Sequence, residues 1–184
     1  RGLRRAGCIG GSPSARAQGG RCIAPPLKRG LGYLALDPEE TVPSFLRALA
    51  QARMRFLWMT SSRPAAAPAG GDLLHVTTVH RGIGTADPRR LQDLRAAATA
   101  FFDEHGPGAL VVECLEPLVL HSGIERVLRV VHDLHEETAM RSAFLIVFAH
   151  PREMNRRMIA WLERELDPLP RVVEPADIED RLGV

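Results

Sequence analysis

The stretch from Ala109 to Pro151 leaves this chain little choice of fold. It holds two short continuous apolar runs, one around Val111 and Val112 and one over Phe144, Leu145, Ile146, Val147 and Phe148, separated by a long segment of helical periodicity. Strands exposed on one face alternate apolar and polar residues, whereas continuous runs of this length belong to strands covered on both faces. Two such strands joined through an amphipathic helix form a parallel β-α-β unit. The expected fold class is therefore α/β: three layers, with a mostly parallel sheet of five or six strands and helices on both faces.

The remaining chain extends that pattern. Residues 31–36 read as a first strand after Gly30 and Gly32, followed by a loop over Asp37-Pro38-Glu39-Glu40-Thr41. Pro43 suits the first turn of a helix, where its missing N–H costs nothing, and Phe45, Leu46, Leu49 and Ala50 then share a face. A start at Asp37, with Glu40 completing a capping box, would place Pro43 in the helix interior and break it. Residues 56–60 form a second buried strand, and 65–71 a loop of Ala, Pro and Gly. Residues 73–79 form a third strand. Asp87 as N-cap and Pro88 at the first helical position open a helix with Leu91, Leu94, Ala98, Phe101 and Phe102 inward, and Gly106 and Pro107 stop it. The fourth strand, 110–114, leads through Glu116 and Pro117 into a central helix. Ser122 and Glu125 have the spacing of a capping box there, and Ile124, Val127, Leu128, Val131 and Leu134 form its apolar stripe. A fifth strand over 144–149 precedes a helix buried through Met154, Met158, Trp161, Leu162 and Leu166. Residues 171–173 are expected to add an edge strand and 175–182 a short helix. The body thus spans 30–170, with 171–184 packed on it.

Composition limits what such a body can do. Of the 24 basic residues, seven lie in residues 1–29, which hold no acid; 17 remain downstream against all 22 acids, so the body carries about five negative charges in excess. Nucleic-acid recognition needs a basic face, and none is expected of this body. Residues 1–29, rich in Gly, Ser, Pro, Ala and Arg, read as a disordered basic tail or linker that cannot bury enough surface to offset its conformational entropy. Cys8, Cys22 and Cys114 are too scattered for a disulfide framework or a paired-cysteine zinc site, so a reduced compartment is the simpler reading. No run approaches a membrane span, and no signal-peptide core precedes the body. A cytoplasmic protein without membrane contact is expected.

Open parallel sheets bind ligands beyond the carboxyl ends of their strands. The residues expected there are Asp37, Ser61, Ser62, Arg63, Glu113, Glu116 and His150. Glu113 with Glu116 could hold a divalent cation or serve as acid and base, but hard cations want further oxygen ligands and none is evident. The plainer role for Glu116 is a cap or salt bridge at the central helix, with Arg63 as its partner. Cys114 with His150 resembles a thiolate and its base, although a lone strand-end cysteine more often packs as a small hydrophobe. His132-Asp133-Leu134-His135-Glu136 lacks the zinc-protease order and reads as a solvated helix side. Arg152, Arg156, Arg157 and Arg164 are interleaved with Glu153, Glu163 and Glu165, which indicates surface ion pairs. No metal and no cofactor is expected.

Residues 32–166 resemble a family known only as a domain of unknown function, family 835, found in archaea and some bacteria and often attached to sensor-kinase or response-regulator modules. The family's Asp-Gly-Leu-Glu-Tyr-Leu run after a buried strand stands here as Glu113-Cys114-Leu115-Glu116-Pro117-Leu118, with departures at Glu113, Cys114 and Pro117. The pattern is also carried by Gly32-Tyr33-Leu34, Arg63-Pro64, Ser122-Gly123, His150-Pro151 and Leu162-Glu163-Arg164-Glu165-Leu166. The layout is similar to RecA and circadian-clock type P-loop ATPases, in which an acidic residue ends a buried strand as Glu113 does. A phosphate cradle needs a Gly-rich turn and a Lys on the next helix. Lys28 is the single lysine, and the turn carries Asp37, Glu39 and Glu40, which repel phosphate. The resemblance thus implies a degenerate P-loop domain that is a non-enzymatic signalling or regulatory module, binding a protein partner such as a signalling component. The alternative is a nucleotide- or small-ligand-binding domain with at most weak hydrolase activity. A homo-oligomer is the third reading.

Overall fold

A computed structural model describes residues 27–36, 38–62, 67–79 and 82–170, without the side chains of 38–40. Asp37, Arg63, most of the expected tail and the expected elements within 171–184 lie outside the described residues. Seven strands form one parallel sheet in the order β4-β3-β2-β5-β6-β1-β7. They are β1 (Gly32–Ala35), β2 (Phe56–Thr60), β3 (Gly71–Val76), β4 (Thr85–Ala86), β5 (Ala109–Val112), β6 (Phe144–Phe148) and β7 (Asp167–Pro168). The helices are α1 (Pro38–Gln51), α2 (Leu91–His105), α3 (Leu115–Ser122), α4 (Ile124–Met140) and α5 (Arg156–Glu165).

The α/β class and the helices on both faces are as expected; the sheet has seven strands rather than five or six. Two-residue pairings at the edges, β4 on β3 and β7 on β1, make the difference. Such pairings have too few residues to show a period in sequence. The continuous apolar runs became the four central strands, each buried along its whole length. Alternate residues of these strands feed two cores. On one face, Tyr33, Trp58, Val111 and Ile146 pack under α1 through Val42, Phe45, Leu46 and Leu49. On the other, Leu57, Met59, Leu110, Val112, Leu145 and Val147 pack under α2, α3, α4 and α5. Leu27 joins the α1 core, so packed chain begins three residues before Gly30.

Helix boundaries depart from expectation for identifiable reasons. Helix α1 starts at Pro38, whose ring suits a first helical position, and carries Pro43 inside it. Pro43 faces solvent, away from the core residues Val42, Phe45 and Leu46, so the backbone carbonyl it leaves unbonded is on the wet side. Asp87 caps a turn rather than a helix: its Oδ1 accepts the Arg89 N–H at 2.9 Å, its carbonyl accepts the Arg90 N–H, and α2 begins at Leu91. The inward face of α2 is the expected set of five residues. The expected central helix is α4, which starts at Ile124, and the stretch before it, expected only as a lead-in, is a separate helix α3 that ends at Gly123, whose φ of 82° is a left-handed conformation that glycine adopts without strain. No capping box forms, because Ser122 is the last residue of α3 and Gly123 takes the N-cap position of α4; the Ser122 hydroxyl donates to the Pro88 carbonyl at 2.8 Å and ties α3 to the turn before α2. Strand β3 starts at Gly71, where a Cβ would strike the Phe56 ring, and ends at Val76. Val79, expected inside that strand, is exposed.

Candidate functional site

The chain leaves β1 for α1 on one face and leaves β6 for α5 on the other. These strands are neighbours, so the topological switch lies between them, and the crevice beyond their carboxyl ends is the default ligand position. His150 follows β6 at this place. Asp37 follows β1, outside the described residues.

The other expected residues do not converge on the crevice. Ser61 and Ser62 are exposed after β2, two strands away from β6. The Ser62 N–H donates to the buried Thr60 hydroxyl at 3.0 Å, and the Ser61 carbonyl lies 3.2 Å from the His75 ring nitrogen Nε2, toward the sheet edge. Glu113 continues β5 by donating its N–H to the Met59 carbonyl. Its carboxylate accepts the Trp58 indole N–H at 2.9 Å. Trp58 belongs to the core under α1, so Glu113 closes the end of that core. Cys114 is fully buried in the opposite core, and burial pushes its thiol well above the ordinary range. It packs as a small hydrophobe rather than as a thiolate paired with His150.

Glu116, in the first turn of α3, has different company. Its carboxyl meets that of Glu153, with His150 and Glu113 also within electrostatic reach. Burial raises its pKa most, the hydrogen bond and repulsion from Glu153 add to that, His150 opposes, and Glu113 adds a smaller push. No Arg or Lys among the described residues forms an ion pair with Glu113, Glu116 or Glu153. From the sequence, Glu153 is expected among the interleaved charges of the helix that follows the fifth strand. It lies instead in the preceding turn, its N–H donating to the His150 carbonyl, and α5 starts only after Asn155 caps it by accepting the Arg157 N–H at 2.8 Å. Asn155 directly before an amphipathic run was a readable N-cap signal.

Beside this pair runs a trough that the sequence did not reveal. One part, of about 500 Å³, is walled by Glu116, Pro117, Val119, Leu120 and Met154. The other, of about 560 Å³, is walled by Ile124, Leu128, Trp161 and Arg164. The two adjoin at Asn155 and Met158, along α3, the start of α4 and α5. Leu120 stands at the edge with 80 % of its surface exposed.

Elsewhere some surface charges pair locally. His132 and Glu136 pair at 3.5 Å on exposed α4, and Arg95 reaches Asp133 at 3.0 Å. At the opposite end of the sheet, Asp72 accepts from both Arg55 and His105. Lys28 also lies at that amino end, where its backbone N–H donates to the Tyr33 hydroxyl. Among the described residues, no group of three or more His, Cys, Asp or Glu is placed to hold a metal ion, and no helix is long and apolar enough to cross a membrane.

A parallel sheet covered on both faces, with an apolar trough along one helical layer, defines an α/β domain. The chain belongs to the family described as protein of unknown function (DUF835), whose model matches residues 35–166. Nothing among the curated proteins and nothing among the solved structures matches it.

Proposed function

We propose that this domain is a non-enzymatic protein-interaction module of the kind used in signalling and regulation, working in the cytoplasm on a P-loop-type scaffold that has lost phosphate binding. The observation that carries the reading is the apolar trough with Leu120 exposed at its edge. Isolated exposed leucines are ordinary, but one bordering adjoining apolar hollows adds to a patch that water covers poorly. The P-loop relationship draws support from the parallel sheet and from Glu113 at the end of a buried central strand. Against turnover, the single lysine lies at the amino end of the sheet, opposite the crevice, and Glu113 is engaged by Trp58.

Two measurements on the full chain test the reading. Calorimetric titration with ATP and with GTP in the presence of Mg²⁺ is expected to give no heat up to millimolar ligand. Micromolar binding, about −8 kcal/mol, would favour the nucleotide-binding alternative. A photo-cross-linking side chain at Leu120 is expected to capture a defined protein segment that the same group at exposed Arg47, on the opposite layer, does not; equal capture from both positions would count against the trough.

A further inference from the structure

We propose that the partner of this trough is an amphipathic helix presenting a basic side chain to the facing carboxyls of Glu116 and Glu153. The inference rests on the docking reading above and adds the chemistry of the occupant.

Shape supports a helix. The wall formed by α5 is ten residues long, about 15 Å at the α-helical rise, which matches roughly three turns of a docked helix. Its lining of leucine, isoleucine, methionine and tryptophan side chains suits an apolar ridge with i, i+4, i+7 spacing. Met154, in the wall, is an adaptable packing partner, and the fully buried Met158 lies beneath it.

Charge decides which helix. Glu116 and Glu153 stand together in the wall of one half of the trough, with Glu113 behind them on the β5–α3 connection and His150 on the β6–α5 turn. Burial first, and then the Glu153 carboxyl beside it, make the charged form of Glu116 costly, as its raised pKa indicates. No Arg or Lys among the described residues pairs with them. An incoming Lys or Arg supplies the missing cation, forming charge-assisted hydrogen bonds beside an apolar surface. An incoming carboxylate adds a third negative group. This end of the trough therefore discriminates by repulsion as well as attraction, while Arg157 and Arg164 line the other half, so the basic side chain belongs at the Glu116 end of the docked helix.

The test uses the full chain and two fluorescein-labelled model peptides of about 18 residues, long enough to form an amphipathic helix. Both carry leucine at i, i+4, i+7 and i+11; one has lysine and the other glutamate beside the first leucine. Fluorescence anisotropy at about pH 7.5 is expected to show the lysine peptide binding about tenfold more tightly, as one charge-assisted contact supplies. That preference is expected to shrink at about pH 5, where more of Glu116 is protonated. In Glu116→Gln the preference is expected to fall below about twofold while leucine-driven binding persists. Equal binding of the two peptides by the wild-type chain overturns the charge selection and leaves the docking surface standing. No binding of either peptide, or binding indifferent to Leu120→Glu, overturns the docking surface itself. Self-association in sedimentation that Leu120→Glu abolishes assigns the trough to a second copy and overturns the proposal. Urea midpoints of both variants within error of wild type confirm that folded proteins are compared.

Discussion

Replacing Glu113 separates a structural carboxylate from a catalytic one. The Trp58 indole N–H, on a side chain only 8 % exposed, donates at 2.9 Å to the Glu113 carboxylate. Glu113→Ala removes the acceptor and leaves that donor facing the end of the core under α1. A hydrogen bond to a charged group contributes about 1.5–3 kcal/mol, and Glu113 is only half buried, so water recovers part of the loss and the lower end applies, about 1.5–2 kcal/mol. In a chain of this size each kcal/mol moves the midpoint by roughly 2–4 °C, so the melting temperature is expected to fall by about 3–8 °C. Glu113→Gln keeps a carbonyl acceptor of nearly the same shape and is expected to lose less than about 1 kcal/mol. Urea unfolding of both variants, followed by tryptophan fluorescence and far-UV circular dichroism, should shift the midpoint without changing the slope. A Glu113→Ala variant within about half a kcal/mol of wild type, or a Gln variant as costly as Ala, would refute the reasoning.

Further perturbations probe the other features. Glu116 is held above its ordinary value of 4.5, so the folded state binds this proton more tightly than the unfolded chain does. Relative to Glu116→Gln, wild-type stability should be greatest below pH 4.5 and decline as pH rises through the raised pKa, which urea midpoints across the acid range would follow; a flat or rising difference would contradict it. Pro43→Ala restores a backbone donor inside α1 and should stabilise the chain by about 1–2 kcal/mol after the unfolded-state entropy that proline saved is deducted. Were Pro43 the first helical residue, the same change would be neutral or harmful. Leu162→Ala removes a fully buried side chain beneath the trough and should cost about 2–5 kcal/mol in chemical denaturation.

The legible part of the site was its chemistry rather than its assembly. Placing Glu113, Glu116 and His150 beyond strand ends follows from apolar runs ending in polar residues, and these residues do follow β5 and β6. Which way each side chain turns was not readable. Glu113 still has the alternation of its strand and turns toward Trp58, whereas Glu116 is already in the first turn of α3 and meets Glu153. Glu153 itself was hidden because a turn before Asn155 brings it back over the preceding strand end, and turns of this kind leave no periodic signal.

The sequence by itself determined the α/β class, the four buried central strands and the inward face of α2. Those depend on local burial periodicity, which every residue along an element reports. Tertiary structure alone decided the order of the strands, the two short edge pairings, the separate helix α3 and the trough between α3 and α5. The reason is physical: these features are set by contacts between distant elements. Ser122 shows this most directly, since its hydroxyl donates to the Pro88 carbonyl, 34 residues away, a contact that no local pattern reports.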